Sequence, residues 1–361
     1  TWVYDVGLDT WSQKLPTTSP SARDDHAMAS IGDDQVLLFG GGGPTNGETW
    51  VYDLSGNTWT EVATAGTPGT DKPTALRQHE MAHLGGDQVL LFGGVDGGFN
   101  FNGETWVYDL SAGTWTEVAI DGAPDTDKPE ARRIHAMAHL GGDKVLLFGG
   151  STTGGYSSET WVYELSTSSW HEGTLSIREH FGLAEIGDGK VLLFGGNDDY
   201  SRRGDTWVYD LCNNTWSQKQ PPTSPFARDD HAMASIGDDQ VLLFGGSPRN
   251  DETWVYDLSD NTWTEVATGG TPGTDKPTAR QQHEMAYLGG DQVLLFGGFD
   301  GDFNFIGETW VYDLSAGTWT EVAIDGAPDI DKPAARRLHA MAHLGGDKVL
   351  LFGGSTTGGY S

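Results

Sequence analysis

The sequence predicts an all-β protein, a seven-bladed β-propeller of four-stranded antiparallel blades whose last blade is closed by both termini. Three observations predict this fold. Two short strings recur seven times in phase along the 361 residues, no run of 18 apolar residues is present, and the chain begins and ends within one repeat unit. Residues 1–361 are therefore expected to form a single propeller domain.

Each repeat unit carries the same tryptophan-containing string. Thr-Trp-Val-Tyr begins at Thr1, Thr49, Thr105, Thr160, Thr206, Thr253 and Thr309. A second tryptophan lies seven residues after each tyrosine, and Val-Leu-Leu-Phe-Gly-Gly also occurs seven times. All 14 tryptophans belong to this pattern, so each of the seven units contains two of them.

Each unit is expected to contain four short strands. The first carries His-Ala-Met-Ala or a variant, the second is Val-Leu-Leu-Phe, the third is Thr-Trp-Val-Tyr, and the fourth begins at the second tryptophan. β-branched and aromatic residues favour strands, and Gly, Asp, Asn and Pro mark the turns between them. The second strand is apolar throughout, which indicates that both of its faces are covered. A period near 50 residues with four strands is typical of a propeller blade.

The two ends of the chain are expected to build one blade together. Ser361 corresponds to Ser157 of an internal unit, and only two residues separate Ser157 from Thr160, the equivalent of Thr1. The C-terminus would supply the first two strands of the last blade and the N-terminus the other two. Such closure leaves no unpaired sheet edge.

A longer repeat overlies the short one. Residues 1–46 recur near 206–251, and residues 49–157 recur at 253–361, so the blades follow the order A, B, C, D, A, B, C. Because blades were copied, the repetition of a loop residue is not by itself evidence of function.

The double glycine after the second strand and the Tyr-x6-Trp pair identify the repeat, as at Gly93, Gly94, Tyr108 and Trp115. With these residues the chain resembles kelch-repeat propellers over essentially its whole length. The resemblance implies that the first strand lines the central channel and that the fourth strand is outermost.

Charge and cysteine content exclude several classes of function. The formal net charge is −31, with 52 acidic against 21 basic residues, which disfavours nucleic acid as a partner. No membrane span is expected. Cys212 is the only cysteine, which excludes an internal disulfide framework and a zinc site built from cysteines.

Partner binding is expected on the long-loop face, which carries the loops from strand two to three and from strand four to the next blade. The proposed partner-binding arginines lie in these loops, at Arg23, Arg77, Arg132, Arg178, Arg202, Arg203, Arg228, Arg280 and Arg336. Seven of them precede the histidine of strand one by two or three residues. The resemblance implies a position near the channel mouth, where such arginines grip acidic peptides in some relatives. The alternative is an ion pair, such as that of Arg23 with Asp24 or Asp25 of an adjacent blade.

Aromatic residues in the loops from strand two to three complete the predicted partner-binding set. They are Phe99, Phe101, Tyr200, Phe303 and Phe305. Aromatic side chains beside arginines are typical of protein-binding surfaces. The alternative is that these rings pack under their own loops.

One histidine occupies the same repeat position in every unit, at His26, His79, His135, His180, His231, His283 and His339. A metal site in the channel is one interpretation. A structural histidine that hydrogen-bonds a neighbouring blade is favoured, because a seven-fold ring does not converge on one ion. No metal or cofactor is predicted, although loops such as that of Asp300 and Asp302 could hold calcium weakly.

No catalytic motif is found, and Cys212 lies in a turn on the opposite face, which argues against a galactose-oxidase-like copper site. The sequence therefore predicts a non-catalytic scaffold that binds a protein or an acidic peptide on the long-loop face. One alternative is a secreted structural propeller that self-associates through oppositely charged faces. A glycan-binding or galactose-oxidase-like protein is the remaining alternative. The compartment is not determined, with a slight preference for an extracellular one.

Overall fold

The computed structural model describes residues 1–5, 7–32, 34–42, 44–118, 127–174, 178–198, 201–237, 239–267, 269–300, 302, 304–322, 332–345 and 348–360. Over these ranges all regular structure is β-strand, and no helix long and apolar enough to cross a membrane is found. The all-β prediction is confirmed. Seven sheets have four antiparallel strands each, as the repeat count predicts.

Blades are numbered here 1 to 7 in the order of their inner strands. The inner strands are Ala27–Ser30, Glu80–His83, Ala136–His139, Gly182–Glu185, Ala232–Ser235, Glu284–Gly289 and Ala340–Gly345. The second strands are Gln35–Phe39, Gln88–Phe92, Lys144–Phe148, Lys190–Phe194, Gln240–Phe244, Gln292–Phe296 and Lys348–Phe352. The third strands are Thr49–Asp53, Thr105–Asp109, Glu159–Glu164, Thr206–Asp210, Thr253–Asp257, Thr309–Asp313 and Trp2–Asp5. The outer strands are Thr58–Val62, Thr114–Glu117, Ser169–Thr174, Thr215–Lys219, Thr262–Val266, Thr318–Glu321 and Thr10–Gln13.

Short strands extend two of the loops on the long-loop face. They are Arg132–Arg133, Ser151–Thr152 and Gly155–Tyr156 in blade 3, and Ser355–Thr356 and Gly359–Tyr360 in blade 7. In blade 3 the first of these pairs with the second, so the loop between strands two and three folds over the start of its own blade.

Blade 7 is built from both ends of the chain. Trp2–Asp5 pairs antiparallel with Lys348–Phe352, with Trp2 opposite Leu351 and Tyr4 opposite Val349. The inner strands of consecutive blades lie side by side all round, with that of blade 7 between those of blades 6 and 1. The predicted closure is therefore confirmed, and the first strand of each unit lines the central channel as the resemblance implies.

The hydrophobic core lies between neighbouring sheets. In blade 1 the second-strand residues Val36, Leu37, Leu38 and Phe39 are fully buried, because alternate side chains pack against the blades on either side. Leu37 and Phe39 share a cluster with Trp115 of blade 2. The same arrangement recurs around the ring, which explains why this strand is apolar on both faces.

A tryptophan–threonine hydrogen bond joins every pair of adjacent blades. The indole Nε1 of each outer-strand tryptophan donates to the threonine Oγ1 that opens the third strand of the preceding blade, at 2.6 to 3.0 Å. The pairs are Trp11–Thr309, Trp59–Thr1, Trp115–Thr49, Trp170–Thr105, Trp216–Thr160, Trp263–Thr206 and Trp319–Thr253. A buried indole N–H needs an acceptor, so the second tryptophan of each repeat and the threonine of Thr-Trp-Val-Tyr serve one interblade contact.

The double glycine is required by close approach on both sides, as blade 2 shows. Gly93 has φ +74°, and a Cβ there would lie 2.6 Å from the carbonyl oxygen of Arg132 and 2.7 Å from the His135 ring. Gly94 has φ +94°, and a Cβ there would lie 2.9 Å from the Cβ of His79. Only glycine combines this conformation with this space. The Gly94 N–H then donates to the Arg132 carbonyl of the next blade at 2.8 Å.

Candidate interaction site at the channel mouth

Six of the nine proposed arginines are buried within the fold. Arg23 shows the common geometry, in which Nη1 donates to the carbonyl of Gly40 at 2.8 Å and Nη2 to Glu48 Oε2 at 2.7 Å. Glu48 also accepts a hydrogen bond of 3.0 Å from Trp50 Nε1. Burial raises the pKa of the Glu48 carboxyl, but the hydrogen bonds from Trp50 and Arg23 outweigh it, so the net pKa is lowered.

The same arrangement repeats around the ring. Arg23, Arg132, Arg178, Arg228, Arg280 and Arg336 have exposures of 0 to 3%. Five of them pair with an acidic residue at or directly before the start of the third strand of the same blade, namely Glu48, Glu159, Asp205, Glu252 and Glu308. Arg336 Nη1 donates to the carbonyl of Gly353. The partner of Arg23 is thus not Asp24 or Asp25. A ligand cannot reach these side chains without opening a blade, so they do not belong to the surface described below.

Arg77 occupies a different position from the six. In blade 2 the buried site is taken by Leu76, which is fully enclosed, and Arg77 follows it at a half-exposed position. The residue that matches Arg77 in blade 3 is Arg133, and in blade 7 it is Arg337. The sequence pattern therefore merged two classes of arginine, one that holds a blade together and one at the channel mouth.

Blade 4 departs from the predicted histidine position. Phe181, not His180, packs edge-to-face on Phe148 of the preceding blade, with ring centroids 4.9 Å apart. In blade 2, His79 makes the equivalent contact with Phe39 of blade 1. His180 instead has φ +53° and belongs to the mouth. The assignment of His180 to the position of the buried histidines was therefore wrong, because Phe181, the next residue, occupies that position.

The two residues that precede the buried histidine or phenylalanine of each blade lie around the channel mouth, and we term this set the mouth ring. In blades 1 to 7 these pairs are Asp24–Asp25, Arg77–Gln78, Arg133–Ile134, Glu179–His180, Asp229–Asp230, Gln281–Gln282 and Arg337–Leu338. The second member of every pair has φ between +51° and +58°. Among them Ile134 is β-branched, for which this conformation is strained. The strain is offset by interblade backbone bonds such as Gln78 N to Asp25 O at 2.9 Å and Ile134 N to Gln78 O at 3.2 Å.

One side of the mouth presents three guanidinium groups on aromatic rings. Arg77 lies 4.4 Å from the centroid of Phe99, and Arg133 lies 5.7 Å from that of Phe101. Arg337 lies 4.9 Å from Phe299. All three arginines are half-buried, and the Nε of each is buried without a hydrogen bond. Stacking on the rings fixes the orientation of the planar guanidinium groups.

Asp25 lies among these three arginines. The Gln78 amide links them, since Arg133 Nη1 donates to Gln78 Oε1 at 2.9 Å and Gln78 Nε2 donates to Asp25 Oδ2 at 3.2 Å. Burial raises the pKa of Asp25, against the opposing effect of Arg77, Arg133 and Arg337. Within the described residues, none of the three arginines forms an ion pair of 4.0 Å or less.

The other side of the mouth is acidic. His180 Nδ1 lies 2.8 Å from Asp230 Oδ1, and this contact raises the pKa of His180. Arg202 donates from Nε to Asp229 Oδ1 at 2.9 Å. Glu179 is 9% exposed and lies beside His180. The mouth ring therefore carries its three arginines on blades 7, 2 and 3, with Asp24 and Asp25 of blade 1 among them, and its other three carboxylates on blades 4 and 5.

An axial cavity of about 310 Å³ opens below the mouth ring. Glu80 and Glu284, the first residues of the inner strands of blades 2 and 6, lie in its wall, where the other five blades have Ala or Gly. Glu80 is half-buried and Glu284 is exposed, but both face the enclosed channel, where the surrounding blades limit the hydration of their carboxyls. This enclosure, with a contribution from Glu284, raises the pKa of Glu80 to about 8, and it raises the pKa of Glu284 to about 7. Ile134 and Leu338 line the same cavity.

The predicted aromatic residues divide between the two interpretations. Phe99 is 64% exposed, whereas Phe101 and Phe305 are half-buried under arginines of the next blade. Tyr200 and Phe303 lie outside the described residues. Arg203 pairs with Asp198 of its own loop.

The buried histidines are structural in their contacts. His26, His79, His135, His231, His283 and His339 pack edge-to-face on a phenylalanine of the preceding blade. Ring packing dominates this contact. The backbone of the same phenylalanine also acts as a hydrogen-bond partner of His79, His135, His231 and His283, although no ring nitrogen meets strict hydrogen-bond geometry, and it raises their pKa against the larger lowering by burial. Burial lowers the pKa of His79 to about 3, which keeps its imidazole neutral.

No group of three or more His, Cys, Asp or Glu side chains that could hold a metal occurs in the part of the chain that the structure describes. In the loop proposed for weak calcium binding, Asp300 accepts hydrogen bonds from the backbone N–H groups of Asp302 and Asn304 and from the Asn304 amide. Its oxygens are therefore already used within the loop.

Sequence reasoning did not identify Arg133, Arg337, Glu80 and Glu284 as site residues. The sequence does distinguish them, because each lies at a constant distance from the second-strand phenylalanine and differs in charge or size from the residue at the same position in most other blades. The spacing also shows the two classes of arginine, since the buried arginines lie sixteen residues before the second-strand phenylalanine and Arg77 lies fifteen before it.

Comparison with known proteins agrees with this architecture. The KLHDC2/KLHL20/DRC7 Kelch-repeats domain model matches residues 1–180, 125–275 and 250–361. Similar proteins include Acyl-CoA-binding domain-containing protein 5 of Arabidopsis thaliana, 28% identical over 183 residues (48% of this chain and 27% of that protein). Kelch domain-containing protein 10 of Bos taurus is 26% identical over 185 residues (50% and 41%). Multiple epidermal growth factor-like domains protein 8 of Homo sapiens is 33% identical over 103 residues (26% and 4%).

The matched segments span less than half the length of each of these relatives, so the similarity concerns the repeats and not the whole proteins. The family model, in contrast, matches this chain from end to end. Together with the seven four-stranded blades and their double glycines, this match establishes that the chain belongs to the kelch-repeat family.

Proposed function

We propose that this propeller binds an acidic segment of a partner protein over the channel mouth, on its long-loop face. The observation that carries the proposal is the trio of Arg77, Arg133 and Arg337. Each guanidinium lies over a phenylalanine ring, and within the described residues none of the three forms an ion pair. Kelch-repeat domains are typically non-enzymatic protein-interaction modules, which supports a binding role for the most elaborated surface of the ring.

The chemistry of the trio favours a carboxylate-bearing ligand. Arginine forms bidentate hydrogen bonds with carboxylates, and a stacked guanidinium loses little side-chain entropy on binding. The surrounding protein has a net charge of −31, which repels acidic partners everywhere else. An acidic segment would therefore be bound selectively at this site. Phe99, 64% exposed beside Arg77, adds apolar contact area.

Selection of binding peptides from a displayed acidic library, followed by fluorescence anisotropy with the selected peptide, tests the proposal. The triple variant Arg77→Glu/Arg133→Glu/Arg337→Glu is expected to weaken binding by about 100-fold or more, because like charges replace three ion pairs. Arg249→Glu is the matched control. Arg249 is an exposed loop arginine outside the mouth ring, paired with Asp302. Equal affinity of the triple variant and the wild type would refute the assignment of this site.

A further inference from the structure

Glu80 and Glu284 give the axial cavity two carboxyls that no basic side chain of the described residues neutralises. They occupy equivalent positions in copied blades 2 and 6, and both lie in the wall of the 310 Å³ cavity. Neither carboxyl makes a hydrogen bond or ion pair within the described residues. Enclosure by the blades raises the pKa of both carboxyls, because no cation in the described part of the free protein offsets the lost hydration of their ionised forms.

The cavity itself is a second observation, independent of the carboxyls. His135, His231 and His283 contribute to its wall, but they pack edge-to-face on phenylalanines of the preceding blades and so add ring surface rather than free hydrogen-bonding groups. The volume of about 310 Å³ is at the lower end of the range for ligand pockets, about 300–1,000 Å³.

The cavity wall favours a long cationic side chain over a bare metal ion. Carboxyls lie in the wall, whereas Ile134 and Leu338, members of the mouth ring, supply apolar surface. Leu338 is 39% exposed. Lysine and arginine have an aliphatic stem and a charged head, which match such surfaces. Within the described residues, no set of three metal-ligating side chains is present here.

We propose that this cavity receives the side chain of a lysine or arginine from the partner. Ile134 and Leu338 directly follow Arg133 and Arg337, so the cavity entrance and the arginine trio share one rim. The inference rests on the proposed function in one respect, namely that the cation belongs to the same segment whose acidic residues contact Arg77, Arg133 and Arg337. The ligand is therefore a segment with acidic residues that contact the arginine trio and a lysine or arginine that enters the cavity.

The test uses three probes. The first is a fluorescein-labelled, glutamate-rich peptide that ends in Gly-Gly-Arg-amide, and the second replaces its arginine by neutral, similarly shaped citrulline. The third is N-acetylarginine methylamide alone, followed by NMR titration. At pH 8 the arginine peptide is expected to bind the wild type about tenfold or more tightly than the citrulline peptide, because only it forms a charge-assisted contact in the cavity.

The variant Glu80→Gln/Glu284→Gln is expected to abolish this difference and the binding of N-acetylarginine methylamide, while the citrulline peptide still binds. Glu185→Gln is the control, since Glu185 is an exposed carboxyl at the far end of the inner strand of blade 4. Equal affinities of the two peptides for the wild type would overturn the cavity assignment, as would a preference that survives in the double glutamine variant.

The results of this experiment distinguish failure of the cavity proposal from failure of the acidic-segment proposal. A citrulline peptide that binds through the arginine trio without any advantage for arginine leaves the acidic-segment proposal standing and refutes the cavity. N-Acetylarginine methylamide that binds through Glu80 and Glu284 while neither peptide binds supports the cavity and refutes the acidic-segment proposal. Absence of binding by all three probes overturns both.

Discussion

The indole Nε1 of Trp11 donates a hydrogen bond of 2.8 Å to Oγ1 of Thr309, a residue 298 positions further along the chain. This bond ties the N-terminal hairpin of blade 7 to blade 6. On the other side of the hairpin, Thr1 accepts the equivalent bond from Trp59 of blade 1. The N-terminal residues are thus fixed to both neighbouring blades.

Loss of the Thr309 hydroxyl should weaken this closure measurably. Thr309→Val keeps the shape of the side chain but leaves the buried Trp11 indole without its acceptor. The expected loss is about 1–3 kcal/mol in the free energy of unfolding, measured by urea denaturation. Thr320→Val, at an exposed outer-strand position, is the control and should change stability by no more than about 0.5 kcal/mol. An effect of Thr309→Val no larger than that of the control would contradict the role of the bond.

Removal of residues 1–20 should destabilise the protein far more than trimming an ordinary terminus. The deletion removes two strands of blade 7 and exposes the edge of Lys348–Phe352. It also removes the buried side chains of Trp2, Tyr4 and Trp11 from the core. Thermal unfolding should occur at a much lower temperature, and a synthetic peptide of residues 1–20 added in trans should raise it again. An unchanged melting temperature would show that the N-terminal strands do not close the ring.

Leu76 marks a place where an ion pair is absent from one blade. Glu104 of blade 2 accepts a 3.0 Å bond from Trp106 but faces leucine where blade 6 has Arg280 paired with Glu308. Leu76→Arg should therefore be tolerated, with a change within about 1 kcal/mol, because buried ion pairs are close to neutral overall.

The double variant Leu76→Arg/Glu104→Gln should instead lose about 3–5 kcal/mol, since a buried guanidinium would then lack a counter-charge. Chemical denaturation of both variants separates the cases. If the two lose equal stability, the introduced guanidinium does not reach Glu104 and the analogy between blades 2 and 6 fails.

The buried histidines should make the fold sensitive to acid. Burial and Arg132 lower the pKa of His135 well below its ordinary value, so the folded protein keeps this imidazole neutral while the unfolded chain binds a proton below about pH 6.5. Stability is therefore lost as pH falls below 6.5, by about 2 kcal/mol at pH 5 for each such residue. His135→Phe, which copies Phe181 of blade 4, should fold and should reduce this loss.

Urea denaturation at pH 7 and pH 5 measures the effect. The stability advantage of His135→Phe over the wild type should grow as pH falls. His171→Phe, at an exposed outer-strand position, is the control for replacing a histidine outside the core. A constant difference between pH 7 and pH 5 would contradict a neutral, buried imidazole.

Glu80 should destabilise the fold at alkaline pH. Its pKa is raised from 4.5 to about 8, so the folded protein holds a proton that the unfolded chain has released, and stability falls as pH rises through this window. The titratable groups that share the cavity are His135, His180, Asp230, His231, His283 and Glu284. Glu80→Gln should match the wild type near pH 4.5 and exceed its stability at pH 8. Equal curves for wild type and variant over this range would contradict the shift.

The fold could be predicted almost completely from the sequence because every blade obeys the same packing rules. The pairing of Trp2 with Leu351 follows from the repeat register alone. In contrast, the positions of functional side chains differ by one residue between blades. Leu76 takes the place of the arginine in blade 2, which is missed when arginines two and three residues before the histidine are treated as one position. Phe181 takes the place of the histidine in blade 4, which an alignment of the blades on histidine hides. The phenylalanine of strand two lies thirteen residues after the buried histidine or phenylalanine of every blade, so it is the better reference for aligning the blades.

The charge division of the mouth could not be predicted, because it depends on which blades are neighbours and on which side chains are enclosed. Glu80 and Glu284 are 204 positions apart in the chain and line one cavity only because the blades form a ring. The distinction between Arg23, buried against Glu48, and Arg77, stacked on Phe99, likewise requires three-dimensional contacts.

The copied sequence also has a kinetic consequence. The hairpin segments 1–14 and 206–219 differ only within their turns, and each pairs with the same string, Lys-Val-Leu-Leu-Phe. Either hairpin could in principle occupy blade 4, but Thr206–Asp210 follows Lys190–Phe194 after a short loop, whereas the N-terminal hairpin begins far away along the chain. Loop-closure entropy therefore favours the local pairing, so the seam of the ring is expected to form last, after the near-identical competitor has been used up.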